Sequence, residues 1–380
     1  MKRITFIIGT RPNFIKASSL YHSLKKYFDI ILIHTGQHTQ SNMYTVFFKQ
    51  LHLPVPDYSF EIKSKSKANI LDNELYNNYS PSTCYIDILL HNNNLGQISE
   101  IRNKIRLLLY NLKPNLVIVF GDVTSTLAGT LAAYSLQIPI AHIESGLRSG
   151  DLSMPEEVNR ILVDKLSTYY FISEPSGLDN LRGEGYSKNL YLVGNTMIDT
   201  LKNHLNDITN CTTDCITKFK FKNYIVVTLH RPNNVDNNIK LSAIIEQLNI
   251  LANKYMIVFP IHPRTKSKMK LDNINNIHFI EPLGYFEFIK LLLGCVFVIT
   301  DSGGIQEETT SLGIRCYTIR QNTERPITLV SNGGTNSLIN DINEIEENEL
   351  NLSHKNTEII DKLWDGNTSF RIRQILEEIL

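Results

Sequence analysis

The sequence predicts an α/β protein made of two doubly wound domains facing a cleft. Short apolar runs alternate with segments whose apolar residues recur at helical spacing, the grammar of a parallel sheet with helices on both faces. The same alternation restarts after a polar stretch near 202–220. The 380 residues, 42% of them apolar, are ample for a buried core and long for a single domain.

In order, 4–8, 30–34, 116–120, 138–143 and 168–172 read as buried strands, with helical spacing over 14–26, 98–112 and 124–136. The second set of strands is 224–228, 256–260, 278–280, 296–300 and 315–319. The first domain is expected over 1–173 and the second over 174–367, with a last helix at 368–380 folding back onto the first. Segment 61–94, rich in Lys, Ser and Asn, reads as a surface insertion or partly disordered loop. No internal repeat or heptad is present.

Composition narrows the function. With 38 basic and 38 acidic residues the formal charge is zero, and no basic stripe supports a nucleic-acid or membrane-surface role. An anionic substrate must then be met by a few placed cations. Met1–Thr10 is too short an apolar run for a leader and reads as a first strand, and no stretch has membrane-spanning length, so a cytoplasmic location is expected. Five scattered cysteines suit a reducing compartment. Cys211 and Cys215 have no second Cys/His pair beside them and read as loop cysteines; Cys84, Cys295 and Cys316 read as structural.

In open α/β sheets ligands bind beyond the carboxyl ends of the strands, so the residues that follow each strand carry the chemistry. The first strand runs into Gly9-Thr10-Arg11-Pro12-Asn13-Phe14-Ile15-Lys16, which is not the glycine fingerprint of a dinucleotide fold. Arg11 and Lys16 flank a helix start that favours anions, though alone they read equally as surface cations. Asp122 lies between a strand and a helix, where Asp is commonly an N-cap. Glu144 ends a buried strand, a costly place for a carboxylate unless it is paired or useful. Ser153 to Glu156 has capping-box spacing with Pro155 in the first turn, a structural reading that also leaves Glu156 free to face a cleft.

In the second half, His230-Arg231 and the pair His262 and Arg264 follow two strands, fitting a polyanion cleft. Asp301-Ser302-Gly303-Gly304 opens a helix. Its glycines would let a phosphate approach backbone N–H groups, and Glu308 one turn on could accept from ribose hydroxyls.

Taken together, GTRPNFIK, HTGQH, GDVTST, AHIESGLRSGD, MPEEVNR, VGNTMIDTL, LHRPNNV, FPIHPRT, PLGYFEF, TDSGGIQEE and NTERP resemble, in order, the non-hydrolysing UDP-N-acetylglucosamine 2-epimerase family over nearly the whole chain outside the insertion. The resemblance implies two Rossmann-like domains around a cleft, a glycosyltransferase-B-like arrangement, with reversible conversion of UDP-GlcNAc to UDP-ManNAc by elimination of UDP to a glycal and re-addition, no NAD or metal, and a homodimer. It implies Asp122, Glu144 and Glu156 as acid–base carboxylates with His230 completing the cluster. Arg11 and Lys16 would meet the diphosphate and the site, and Ser302, Gly303, Gly304, Glu308 and Arg325 would form the UDP-binding turn.

Related branches act on UDP-2,3-diacetamido-glucuronate or on UDP-6-deoxy-L-hexosamines (UDP-L-QuiNAc to UDP-L-RhaNAc), and a hydrolysing branch releases free ManNAc. A glycosyltransferase or an inactive UDP-sugar-binding protein is the reading from a different class. Asn13 and Asn233 stand where many members have Glu, as in one sub-branch of the family. The insertion falls where bacterial members build an allosteric site for a second UDP-GlcNAc, so such activation is not expected.

Overall fold

In the computed structural model the chain is described over residues 1–37, 41–62, 95–212, 217, 223–261, 263–268, 276–345 and 358–380. The expected insertion from 63 onward, His38, Cys84, Cys215, His262 and the side chain of Arg264 lie outside the described residues.

The chain divides into two compact units, Met1–Thr200 with Gly366–Leu380 and Leu201–Asp365. In the first, seven strands form one sheet: β1 (Arg3–Ile8), β2 (Asp29–His34), β3 (Tyr58–Ser59), β4 (Leu116–Phe120), β5 (Ile140–Ile143), β6 (Tyr169–Ile172) and β7 (Leu190–Leu192). Their spatial order is β3-β2-β1-β4-β5-β6-β7, every pair parallel. This unit runs past the expected boundary at 173 because β7 still pairs with β6, Tyr170 opposite Leu190.

The second unit holds β8 (Tyr224–Thr228), β9 (Met256–Pro260), β10 (Ile277–Ile280), β11 (Val298–Thr300), β12 (Cys316–Ile319) and β13 (Asn336–Ile339) in the order β10-β9-β8-β11-β12-β13, again all parallel. Both sheets reverse direction beside their first strand, between β1 and β4 and between β8 and β11. That reversal is the switch point where doubly wound folds open a crevice at the strands' carboxyl ends.

Strands covered on both faces read as unbroken apolar runs, and β4 is buried at all five positions. The helices used below are α1 (Arg11–Leu24), α2 (Leu95–Leu112), α3 (Thr124–Ser135), α4 (Pro155–Leu166), α5 (Gly303–Leu312) and α6 (Thr368–Ile379). Helix α2 buries Ile98, Ile101, Ile105 and Leu109, one stripe at spacings of three and four, against a core shared with Val117, Val119 and Leu127. Helix α6 belongs to the first unit. Its first N–H groups, from Thr368 and Ser369, donate to the buried Asp199 carboxylate at 3.1 and 2.6 Å, and Ser369 meets Ser19 of α1. No described helix is long and apolar enough to cross a membrane.

Two expected caps differ. Val123, not Asp122, is the N-cap of α3. Met154 is the N-cap of α4, while Ser153 donates from its backbone N–H and hydroxyl to Asp151 at 3.0 and 2.5 Å. Asp122 gives up the cap for a partner 38 residues away, Arg160, and Ser153 for its near neighbour Asp151.

Candidate functional site

The switch point of the first unit is stitched by Asn13. Its side-chain oxygen accepts from the N–H groups of Gly9 and Thr10 at 3.1 and 3.3 Å, and its amide donates to the Phe120 carbonyl at the end of β4, 2.9 Å away. Helix α1 is thereby fixed over the gap between β1 and β4, and Lys16 on it is directed inward. Lys16 Nζ lies 2.5 Å from Glu144 Oε2, with both side chains almost wholly buried. Gly121, at φ +60°, ends β4 beside this pair, and a Cβ there would stand 3.0 Å from Lys16 Nζ.

Glu144 has φ 72°, a left-handed backbone that costs a non-glycine residue about 1–3 kcal/mol and persists only where the surroundings impose it. Here the N–H groups of Glu144 and Ser145 both donate to the Phe171 carbonyl, at 2.9 and 3.2 Å.

Asp122 follows Gly121. Its carboxylate pairs with Arg160 of α4, whose other terminal nitrogen meets Glu157. Glu157 also accepts from the backbone of Ser149 and Gly150 and from the Ser149 hydroxyl at 2.8–3.0 Å, so its carboxylate anchors that loop. Asn159 donates to the Asp122 carbonyl at 2.8 Å. Sequence reasoning named Glu156 and passed over Glu157, Asn159 and Arg160. The three-residue spacing of Glu157 and Arg160 was the available signal, since it puts both on one helix face. Glu156 is half-buried, and among the described residues no hydrogen bond or ion pair holds it. Arg11, in the first turn of α1, lies over the Phe47 ring with its guanidinium carbon 4.7 Å from the centroid.

In the second unit the switch point gathers around Asp301, which is fully buried at the end of β11. It accepts from the backbone N–H of His230 at 3.1 Å and of Arg231 at 2.8 Å, and from the Asn234 amide at 3.2 Å; His230 Nδ1 lies 3.0 Å away. Burial by itself raises this carboxyl; the His230 ring, the Arg231 N–H and the Asn234 amide outweigh it and hold it at about 2. Asp301 therefore orients the His230 ring through Nδ1 while 42% of that side chain stays exposed. Asp301 is a further residue that sequence reasoning did not single out.

Ser302 is the N-cap of α5, and Gly303 and Gly304 form its first turn, whose N–H groups have no intrahelical acceptor. Glu308 is buried one turn further on. Arg325 sits beneath the turn: a Cβ on Gly303 would stand 2.4 Å from its Nη1. Arg325 pairs with Glu307 at 3.0 Å and with Glu324, and Glu324 also takes Arg320 at 2.6 Å. Arg325 is thus placed to support the glycine turn from below, with Glu324 as the hub that sequence reasoning missed.

Two doubly wound sheets, each with charged groups gathered at its switch point, define a two-domain α/β enzyme. The chain belongs to the UDP-N-acetylglucosamine 2-epimerase family, a family of isomerases whose model matches residues 86–377. It is 40% identical over 344 residues to the UDP-N-acetylglucosamine 2-epimerase of Methanococcus maripaludis, covering 87% of this chain and 86% of that one. It is 36% identical over 327 residues, 85% and 84% of the two chains, to the UDP-2,3-diacetamido-2,3-dideoxy-D-glucuronate 2-epimerase of Pseudomonas aeruginosa. Among solved structures it resembles the Methanocaldococcus jannaschii UDP-GlcNAc 2-epimerase in complex with UDP-GlcNAc and UDP, at TM-score 0.83 and 34% identity over 99% of each chain.

Proposed function

We propose that this chain catalyses the reversible 2-epimerisation of UDP-N-acetylglucosamine to UDP-N-acetylmannosamine, by anti elimination of UDP to a glycal and re-addition. The observation that carries the reading is the pair of carboxylates at the ends of the adjacent strands β4 and β5, each set against a buried cation: Asp122 with Arg160, Glu144 with Lys16.

Carbon 2 of the sugar has no neighbouring carbonyl, so its proton is weakly acidic and direct exchange is slow. Elimination avoids the difficulty. A carboxylate takes the proton from carbon 2, the electron pair forms the C1–C2 double bond, and the C1–O bond breaks with release of UDP. On the return path a carboxyl gives a proton to the other face of carbon 2 while UDP adds at carbon 1.

Asp122 and Glu144, both facing cations, suit the role of base, and Glu156, which no described cation holds, suits that of acid. From the family resemblance, Arg11 and Lys16 are assigned to the diphosphate, the N–H groups of the Ser302–Gly303–Gly304 turn, supported by Arg325, and Glu308 are assigned to UDP, and His230 to the acid–base cluster. His262 and Arg264 are added as UDP-binding residues from their place after a strand in the sequence alone. Neither a metal nor a redox cofactor enters these steps. The reading carries with it a cytoplasmic homodimer, expected from the family resemblance, and sedimentation of the purified chain tests the oligomeric state directly.

Proton NMR of UDP-GlcNAc with the purified chain in heavy water tests the reading. Deuterium at carbon 2 with UDP-ManNAc appearing, and no free ManNAc, is the expected result. The Pseudomonas relative makes UDP-2,3-diacetamido-glucuronate the second substrate for the assay, and a UDP-6-deoxy-hexosamine the third. Exchange only with one of these moves the substrate and keeps the chemistry; tight UDP binding with exchange in none refutes the epimerase reading.

A further inference from the structure

Behind Asp122 and Glu144 lies a second, fully buried polar assembly that the proposed chemistry does not use. His142, on β5, and Asp164, near the end of α4, are both completely buried. His142 Nδ1 stands 2.7 Å from Asp164 Oδ1, and His142 Nε2 stands 2.9 Å from the carbonyl oxygen of Gly121. A carbonyl oxygen only accepts, so Nε2 carries a hydrogen and donates it to Gly121. The other carboxylate oxygen of Asp164 accepts from the N–H of Gly146 at 3.1 Å and pairs with Arg148 at 2.8 Å. Arg148 in turn forms a two-pronged pair with Glu184, at 2.7 and 2.9 Å. Burial alone would raise the Asp164 carboxyl; the His142 ring and then Arg148 outweigh it and hold it below its ordinary value.

The partners of this assembly are what matter. Gly121 immediately precedes Asp122, and Gly146 follows Glu144 by two residues. Both glycines have left-handed backbones, φ +60° and +82°, so neither turn is held by ordinary backbone preference. Gly146 is also confined: a Cβ there would stand 2.2 Å from the Gly177 carbonyl. Asn159 and Arg160 hold the carbonyl and carboxylate of Asp122, whereas His142 holds the peptide plane before it.

We propose that His142 and Asp164 are positioning residues: as one hydrogen-bonded pair they tie the Gly121–Asp122 turn to the Glu144–Gly146 turn and set the separation of the two carboxylates. The proposal rests on the reading that Asp122 and Glu144 are catalytic. Its geometry does not. A buried, fully partnered pair is stiff, and misplacement of a reacting group by about 1 Å costs about 10²-fold in rate.

Two substitutions separate positioning from bulk stability. The amide nitrogen of Gln falls near the Nε2 position, so His142→Gln keeps the donor to Gly121 and loses the contact to Asp164. Asn reaches only the Nδ1 position, so His142→Asn does the reverse. In the carbon-2 deuterium-exchange assay each variant breaks one of the two links that make the tie, so His142→Asn and His142→Gln are both expected to lower kcat about 10²-fold with UDP affinity and KM unchanged. An unchanged kcat in either variant, or losses that follow only their melting temperatures, overturn the proposal. If His142→Asn does not fold, Asp164→Asn takes its place. Its one oxygen serves either His142 or the Gly146 N–H, so the same kcat loss at unchanged UDP affinity is expected, and an unchanged kcat overturns the proposal.

If the unaltered chain exchanges no UDP-sugar, the functional reading fails and crystal structures of the variants decide this inference separately. A changed separation of the Gly121–Asp122 and Glu144–Gly146 turns in the two variants supports it; an unmoved pair of turns in both refutes it.

Discussion

Lys16→Met is the substitution whose cost follows most directly from the structure. Lys16 Nζ is 2.5 Å from Glu144 Oε2, and the two side chains are 6% and 4% exposed, so water does little to screen either charge. Removing one partner of a buried pair costs about 3–5 kcal/mol, because the remaining charge stays desolvated without its counter-ion. For a unit of this size each kcal/mol moves the melting midpoint by about 2–4 °C, so the first unit should melt about 6–20 °C lower.

Glu144→Gln leaves the opposite charge stranded and should cost a similar amount. The double variant Lys16→Met/Glu144→Gln strands neither, and should lose less than the two singles together, with a coupling of about 1 kcal/mol or more. Differential scanning calorimetry of the four proteins at pH 7 reads all three quantities. Single variants melting within about 2 °C of the unaltered chain, or a double variant that is simply additive, would show that the pair is not the buried, mutually dependent unit described here.

Three further outcomes are expected. Asp122→Asn and Glu144→Gln should each lower carbon-2 exchange by about 10²–10⁴-fold while titration calorimetry still detects UDP binding, and near-normal turnover in either removes that residue from the proposed machinery. Asp301 titrates at about 2 in the folded chain, below its ordinary 3.8. The ionised group therefore stabilises the fold fully above about pH 4 and loses that contribution as pH falls towards 2, an effect of about 2 kcal/mol. In urea melts the stability gap between the unaltered chain and Asp301→Asn should accordingly shrink between pH 5 and pH 2.5, and a gap independent of pH contradicts the assignment. Gly303→Ala should weaken UDP binding about tenfold or more, since its Cβ would meet Arg325 Nη1 at 2.4 Å and that guanidinium is pinned by Glu307 and Glu324; unchanged affinity would show that the turn has room to move.

The sequence by itself determined where the strands run and which residues stand at their ends. Stretches such as Leu116–Phe120 are buried on both faces, so their apolar character is continuous and local, and the polar residues that interrupt it mark the strand ends where ligands bind. Asp122, Glu144, His230 and the Gly303–Gly304 turn were legible for that reason, and the motif order carried the family.

Only the tertiary structure decided how those ends are wired. Arg160 reaches Asp122 across 38 positions, His230 meets Asp301 across 71, and Asn13 joins the end of β4 across 107. Glu157, not its neighbour Glu156, turned inward, and the Ser153 and Asp122 caps gave way to other partners. The long-range pairings among these have no period or spacing in the chain. Each depends on which strands become neighbours, and that is set by the summed burial of the whole sheet, to which any single polar pair adds only a small part.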